Sequence, residues 1–472
     1  MCDEYQDVTS QFTQRFWEAR KLWRTNRAAA RAKLEELRDW TNQRSLAQES
    51  RLAEAAILEI DEQYDEAVEV LGNILSEVKD GLEGLIWFRL GSVHAHQKEH
   101  SRAIECYQKA FDTGRCDTPG RAYNNMGVAY AGKKEYERAI ECFKQALDTE
   151  GFDLPGMAHD NMGNAYAGKK EYDRAIEYYQ RAIDTGRCNT PARSYSNMGL
   201  AYASKKEYDR AIECYQTAIE SEEYDTPGRA YYNMGFTYAN KKEYDRAIDC
   251  YQKALESEGC DTPGLVYVNM GLAYADKKEY DRAIECYQKA LNIEGFDTPG
   301  GAYYNMGLAY GNKKEYDRAI ECYQKALDTE GFDMPGEAYY SMGLAYADKK
   351  EYDRAIECYQ KALDTEGYDT PGDAYCNMGL AYADKKEYDR AIECYQQALD
   401  TEGFDMPGGA YFNMGNAYAD KKEYDRAIEC WKKAANEFEA CGDQAWAAIA
   451  RNMMATAQVS DENRRKSGGA SG

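Results

Sequence analysis

"NMGLAYADKKEYDRAIECYQKAL" occupies Asn269–Leu291, and close variants of it begin again 36 residues later and 36 beyond that. A single copy could pass for chemistry, with a Tyr-Asp-Arg triplet beside paired lysines. Nine copies, counting Tyr136-Glu137-Arg138 as the first, argue for construction instead. Met126, Met162, Met198, Met234, Met270, Met306, Met342, Met378 and Met414 keep a step of 36 without a slip. All nine prolines, Pro119 to Pro407, keep it too. Proline lacks the backbone donor and clashes with the preceding turn, so these mark nine boundaries between helix pairs.

Within the unit Pro263–Thr298, Tyr267, Met270, Gly271 and Tyr274 recur at helical spacing and predict a helix A from Pro263 to about Asp276. Asp261, whose equivalents are Asp or Asn in every unit, is the expected cap of that helix. The paired lysines make a turn. Helix B is expected from near Glu279, burying Tyr280, Ala283, Ile284, Tyr287, Ala290 and Leu291. Gly295 can take the left-handed conformation that ends it, and Phe296 can fold back on its last turn. Gly271 and Ala283 are small because the two helices must approach closely there. One such hairpin cannot bury both of its apolar sides, whereas stacked neighbours can, which gives a solenoid.

These residues resemble the tetratricopeptide repeat, a helix-turn-helix unit of about 34 residues. The family pattern of aromatic, apolar, Gly, Tyr, Tyr, Ala, aromatic and Ala falls here on Tyr267, Met270, Gly271, Tyr274, Tyr280, Ala283, Tyr287 and Ala290. The departure is two further residues in loops such as "DTEGFDMP". The resemblance implies an all-α, right-handed superhelical solenoid of helix-turn-helix repeats. Its expected divisions are a degenerate, locally basic N-terminal helix pair (1–45), two divergent repeats (46–118), nine near-identical repeats (119–442), a C-terminal capping helix (443–459) and a flexible tail (460–472).

The formal net charge of −24 sets the chain against phosphate backbones, so nucleic acid is not an expected partner. No apolar stretch approaches the roughly 20 residues that span a membrane, and the acidic N-terminus does not read as a signal peptide. Nine of the 15 cysteines share one repeat position, from Cys106 to Cys430. Equivalent positions in stacked helices lie roughly 8–10 Å apart, beyond the reach of a disulfide. They read as half-buried thiols in a reducing compartment, and the cytoplasm is the expected location.

The near-copies can be compared with one another. Helix A varies at four positions spaced i, i+3, i+7 and i+11, which lie on one face away from helix B. In the Pro263 unit these are Leu265, Val268, Leu272 and Asp276. The family resemblance implies that this face lines a concave groove that holds peptides. Its contents form an apolar, aromatic track of Tyr232, Phe236, Val268, Leu272, Tyr304, Leu308, Tyr340, Leu344 and Phe412, expected to bind a partner. Unconstrained drift is the plainer reading. Beside it runs a polar row of Asn125, Asn161, Asn197, Asn233, Asn269, Asn305, Asn377 and Asn413, broken once by Ser341. A carboxamide offers a donor and an acceptor, so it can pair with an extended peptide backbone, and it can equally be structural. The N-terminal stretch Phe12–Arg51 holds ten Lys/Arg against five Asp/Glu, with Trp17, Trp23 and Trp40. It reads as an end cap or a docking element, with the cap favoured.

No phosphate loop, nucleophile elbow or dinucleotide fingerprint appears. His94, His96, His100 and His159 lack the cysteine or carboxylate company of a metal site, and His96 falls on the variable face. No catalytic residue, metal or cofactor is expected. The expected role is a non-catalytic scaffold or adaptor holding an extended protein or peptide segment with apolar, aromatic and some basic residues. A regulatory or sensor subunit of a separate enzyme, and a self-assembling scaffold, are the alternatives.

Overall fold

The structure, a computed structural model, describes residues 11–468 except 13, 20–21, 24–25, 45, 78–81, 115, 117, 186–190 and 222–223. The chain forms two compact units, Met1–Thr237 and Tyr238–Gly472. Both are stacks of antiparallel helix pairs, and the described residues contain no strand. Among them, no helix is long and apolar enough to cross a membrane.

The first unit carries helices Arg27–Asn42, Ala47–Ile60, Tyr64–Glu77, Glu83–His96 and His100–Asp112. Three regular pairs follow, from Pro119–Gly132 with Tyr136–Asp148 to Pro191–Ser204 with Tyr208–Ile219. The second unit repeats the pair from Pro263–Asp276 with Tyr280–Leu291 to Pro407–Asp420 with Tyr424–Ala440, and closes with Gln444–Gly468. That last helix runs past residue 459, where the sequence reading ended it, because Ser460–Lys466 contains no helix breaker.

The pair is built as its small residues require. A Cβ placed on Gly271 would sit 2.5 Å from Cε1 of Tyr287 in helix B, and the same clash recurs at Gly307, Gly343 and Gly379. Ala283, Tyr287 and Ala290 are fully buried. The expected Asp261 cap is not formed. The N-cap position falls one residue later, on Thr262, with no side-chain cap bond. Pro263 occupies the first turn, so one of the helix's four orphan donors is absent from the start.

The turn holds a feature the sequence did not signal. The second lysine of each pair, from Lys134 to Lys422, adopts φ between +62° and +65°. That is left-handed backbone, normally taken by glycine.

Each member of the repeated Tyr-Asp-Arg triplet has a structural partner. Asp281 accepts a hydrogen bond from Nζ of Lys313, in the following repeat, at 2.6 Å. Lys349 with Asp317 and Lys385 with Asp353 repeat that seam at 2.6 Å. In the first unit Lys205 and Asp173 make it at 2.6 Å. Arg282 donates to Glu279 at 2.9 Å and lies over the Tyr274 ring at 5.6 Å. Tyr280 packs, half-buried, against the core.

Candidate functional site

In the first unit, the ladder residues Asn125, Asn161, Asn197 and Asn233 are half-buried on helix A. Two of them bond backward to the preceding repeat. Nδ2 of Asn161 donates to Oδ1 of Asn124 at 3.1 Å, and Nδ2 of Asn197 donates to Oδ1 of Asn164 at 3.2 Å. Asn164 also accepts from the Tyr179 hydroxyl at 2.8 Å. Tyr232 is half-buried, while Phe236 is 50% exposed. Asp160, on the second variable position, is buried and accepts from Ser194 at 2.8 Å. Burial pushes its carboxyl up, opposed by the Ser194 hydrogen bond and the Arg193 charge.

In the second unit, Asn269, Asn305, Asn377 and Asn413 are likewise half-buried. Nδ2 of Asn377 donates to the Tyr340 hydroxyl at 2.8 Å and to the Asp373 carbonyl at 3.1 Å. Ser341 takes the same place beside Tyr304, with the two hydroxyls 3.5 Å apart. Tyr340 lies 5.9 Å from the Tyr359 ring and 6.2 Å from Tyr368, and burial pushes its phenol up to about 12. Phe412 meets Trp446 edge-on at 5.4 Å. Val268 is only 9% exposed.

The second variable position is therefore a packing position. Val268 is buried, and Tyr304, Tyr340 and Phe412 are wedged half-buried between neighbouring elements, so the expectation of a freely exposed track is corrected there. The physical reason is that helix A of one repeat also rests on helix A of the next. The second variable position, five residues from the opening of helix A, faces that second contact as well as the groove.

The third position is the open one. Leu272, Leu344 and Leu380 are exposed, and Leu308 is half-buried. On the fourth position Asp276, Asp348, Asp384 and Asp420 are exposed. The second unit thus presents leucines at a constant repeat interval, flanked on one side by amides, with Ser341 as the exception, and on the other by aspartates, with Asn312 as the exception. In the first unit, the third position offers Val128, Leu200 and Phe236, and the fourth carries Gly132, Gly168 and Ser204.

One cluster escaped the repeat pattern. Helix Glu83–His96 lies in register with the later helices A, so Phe88, Arg89, Ser92 and His96 stand where Asn124, Asn125, Val128 and Gly132 stand one repeat on. Trp17 packs against Phe88 with ring centroids 6.2 Å apart, and Trp23 stacks on His96 at 6.0 Å. Phe16 is fully buried, with the Arg89 guanidinium 5.5 Å from its ring. Arg89 and Glu59 form an ion pair with no exposed surface. The N-terminal segment is expected to be a degenerate helix pair that serves as an end cap or a docking element. Trp17 and Trp23 reach the helix Glu83–His96, and Trp17 also meets Arg121 of the next helix A. The signal available in sequence was His96 and Phe88 in register, read against three tryptophans with no period of their own.

Models described as tetratricopeptide repeat match residues 82–149, 154–223 and 226–294, then 301–330, 336–366 and 372–402, and finally 408–441. No curated protein matches the chain. Among solved structures, the chain is similar to the APC/C hetero-tetramer Cut9-Hcn1, at 17% identity over 96% of this chain and 91% of that one, with a TM-score of 0.39. It is similar to MamA at 31% identity, over 35% of this chain and 93% of that one, with a TM-score of 0.31. Yeast Tom70 is 14% identical over 89% of this chain and 97% of that one, with a TM-score of 0.37.

Proposed function

Since the chain belongs to the tetratricopeptide repeat family, a protein-interaction scaffold, we propose that its second unit holds an extended partner segment along the helix A row. The observation that carries this reading is the exposed leucine line of Leu272, Leu344 and Leu380 with Leu308 between them. Contiguous exposed apolar surface of this kind marks interaction sites. The ladder amides have a narrower part than sequence suggested. Asn377 already directs its N–H groups at Tyr340 and Asp373. Its carbonyl oxygen is the atom left to accept a partner's backbone N–H. The aspartates at the fourth position favour lysine or arginine on the partner, so the segment is apolar with basic residues. No step in this role needs catalysis or a cofactor.

The test is a random peptide library displayed against the whole chain. Peptides that combine apolar and basic residues are expected to enrich. Their affinity should fall at least tenfold in the Leu272→Asp/Leu344→Asp variant, whose changes lie on exposed positions, and should weaken with salt. Selected peptides that bind both proteins equally would remove the groove reading.

A further inference from the structure

The first unit contains a cleft of about 760 Å³, walled by Trp17 and Trp23 and floored by Ser92, Asn125 and Val128. Ligand pockets fall in the range of roughly 300–1,000 Å³. The cleft begins where the N-terminal segment stops covering the helix A row. That row already holds aromatic rings in cis, since Trp17 lies on Phe88 and Trp23 on His96. The chemistry that this face accepts is thus on display within the chain itself. Beyond the two indoles, the same row continues with its floor open.

Charge distinguishes this cleft from the leucine row of the second unit. Arg27 and Arg121 line it, against Asp153 alone. Arg121 donates from Nε to Asp153 at 3.0 Å and lies 5.1 Å from the Trp17 ring. Arg27 pairs with Glu62 at 2.8 Å. Further along the first variable position, Arg193 and Arg229 are exposed, and the fourth position carries no carboxylate at Gly132, Gly168 or Ser204. In the second unit the same two positions carry Glu337, Asp373, Asp276, Asp348, Asp384 and Asp420.

We propose that this cleft is a binding subsite for an aromatic side chain on an acidic peptide segment. The ring enters between Trp17 and Trp23 in offset or edge-on contact, the geometry that aromatic quadrupoles favour. Carboxylates on either side of it meet the arginines of the rim. The proposal rests on the reading of helix A as the binding face, but on a different unit and opposite charge. It assigns the two units different ligands.

The probes are the capped tripeptides acetyl-Glu-Trp-Glu-amide, acetyl-Lys-Trp-Lys-amide and acetyl-Glu-Ala-Glu-amide, measured on the whole chain by saturation-transfer NMR and calorimetry. The first is expected to bind at least tenfold more tightly than either of the others. Val128→Trp fills the floor from an exposed position and should cut that binding at least tenfold without disturbing the helical circular dichroism. Arg121→Glu should shift preference toward the lysine peptide. Leu272→Asp/Leu344→Asp should leave the glutamate peptide unaffected, so failure here and failure of the leucine row are separable. No binding of the glutamate peptide, equal binding of the lysine peptide, or equal binding by Val128→Trp would overturn the proposal.

Discussion

The paired lysines do two jobs with one residue type. The first, such as Lys313, reaches Asp281 in the preceding repeat. The second, such as Lys278 or Lys314, bends the chain through left-handed backbone. A side chain in that conformation costs roughly 1–2 kcal/mol relative to glycine. Lys278→Gly is therefore expected to raise stability by about 1 kcal/mol, read as a higher urea midpoint at unchanged slope. Gly271 sits at the opposite limit. With Tyr287 2.5 Å from where a Cβ would lie, Gly271→Ala is expected to cost about 1–3 kcal/mol. Thiol chemistry follows burial in the same way. Burial pushes the Cys286 thiol up to about 11, and Cys441 is exposed. Iodoacetamide at neutral pH should label Cys441 well before Cys286, as resolved by peptide mass spectrometry. The glycine and the cysteines were legible in sequence, because small size and even spacing survive as letters. The left-handed lysine was not, since lysine carries no preference for that conformation and nothing local announces it.

Helices were the most legible elements, and their ends the least. Proline at a fixed step located helix A in the nine regular repeats, and the apolar stripe located helix B. The cap position falls one residue later than expected, on Thr262, directly before the proline that opens the helix. On the variable face, spacing identified the correct side of helix A but could not separate its two contacts. Val268 and Leu272 are four residues apart on one face, yet the first is 9% exposed and the second 39%. The difference lies in the neighbouring repeat, which single-helix periodicity does not contain. The C-terminal helix expected as a cap at 443–459 is the closing helix Gln444–Gly468. It covers Trp431, Ala434 and Ala435, but it leaves Trp446, Ile449 and Val459 exposed. Removing it by truncation after Gly442 should uncover the Trp431 layer. Light scattering should then report association at concentrations where the full chain scatters as a discrete species.

For the whole molecule, composition set the charge and the period set the architecture, while the N-terminal segment resisted both readings because it has no copies to compare. Repetition also makes the pH response collective. Glu279 and its eight equivalents are each held below their ordinary value of 4.5, chiefly by the hydrogen bond from the neighbouring lysine. A lowered folded value means the contribution is present above about pH 4.5 and is lost as pH falls through it. The nine repeat-position thiols run the other way, pushed by burial from 9.0 to about 11. Their contribution is present below pH 9.0 and is lost as pH rises toward about 11. The thermal midpoint by circular dichroism should be flat from about pH 5 to 8 and fall on both sides. The lysine–aspartate seam has a last consequence. Asp317 with Lys349 and Asp353 with Lys385 are the same pair made from the same words. Cutting out one whole unit, or copying one in, rejoins identical edges and restores every seam. The length of this protein can therefore be edited in steps of 36 residues by a single recombination event that leaves the lysine–aspartate seam intact, and only the variable helix A contacts meet new neighbours.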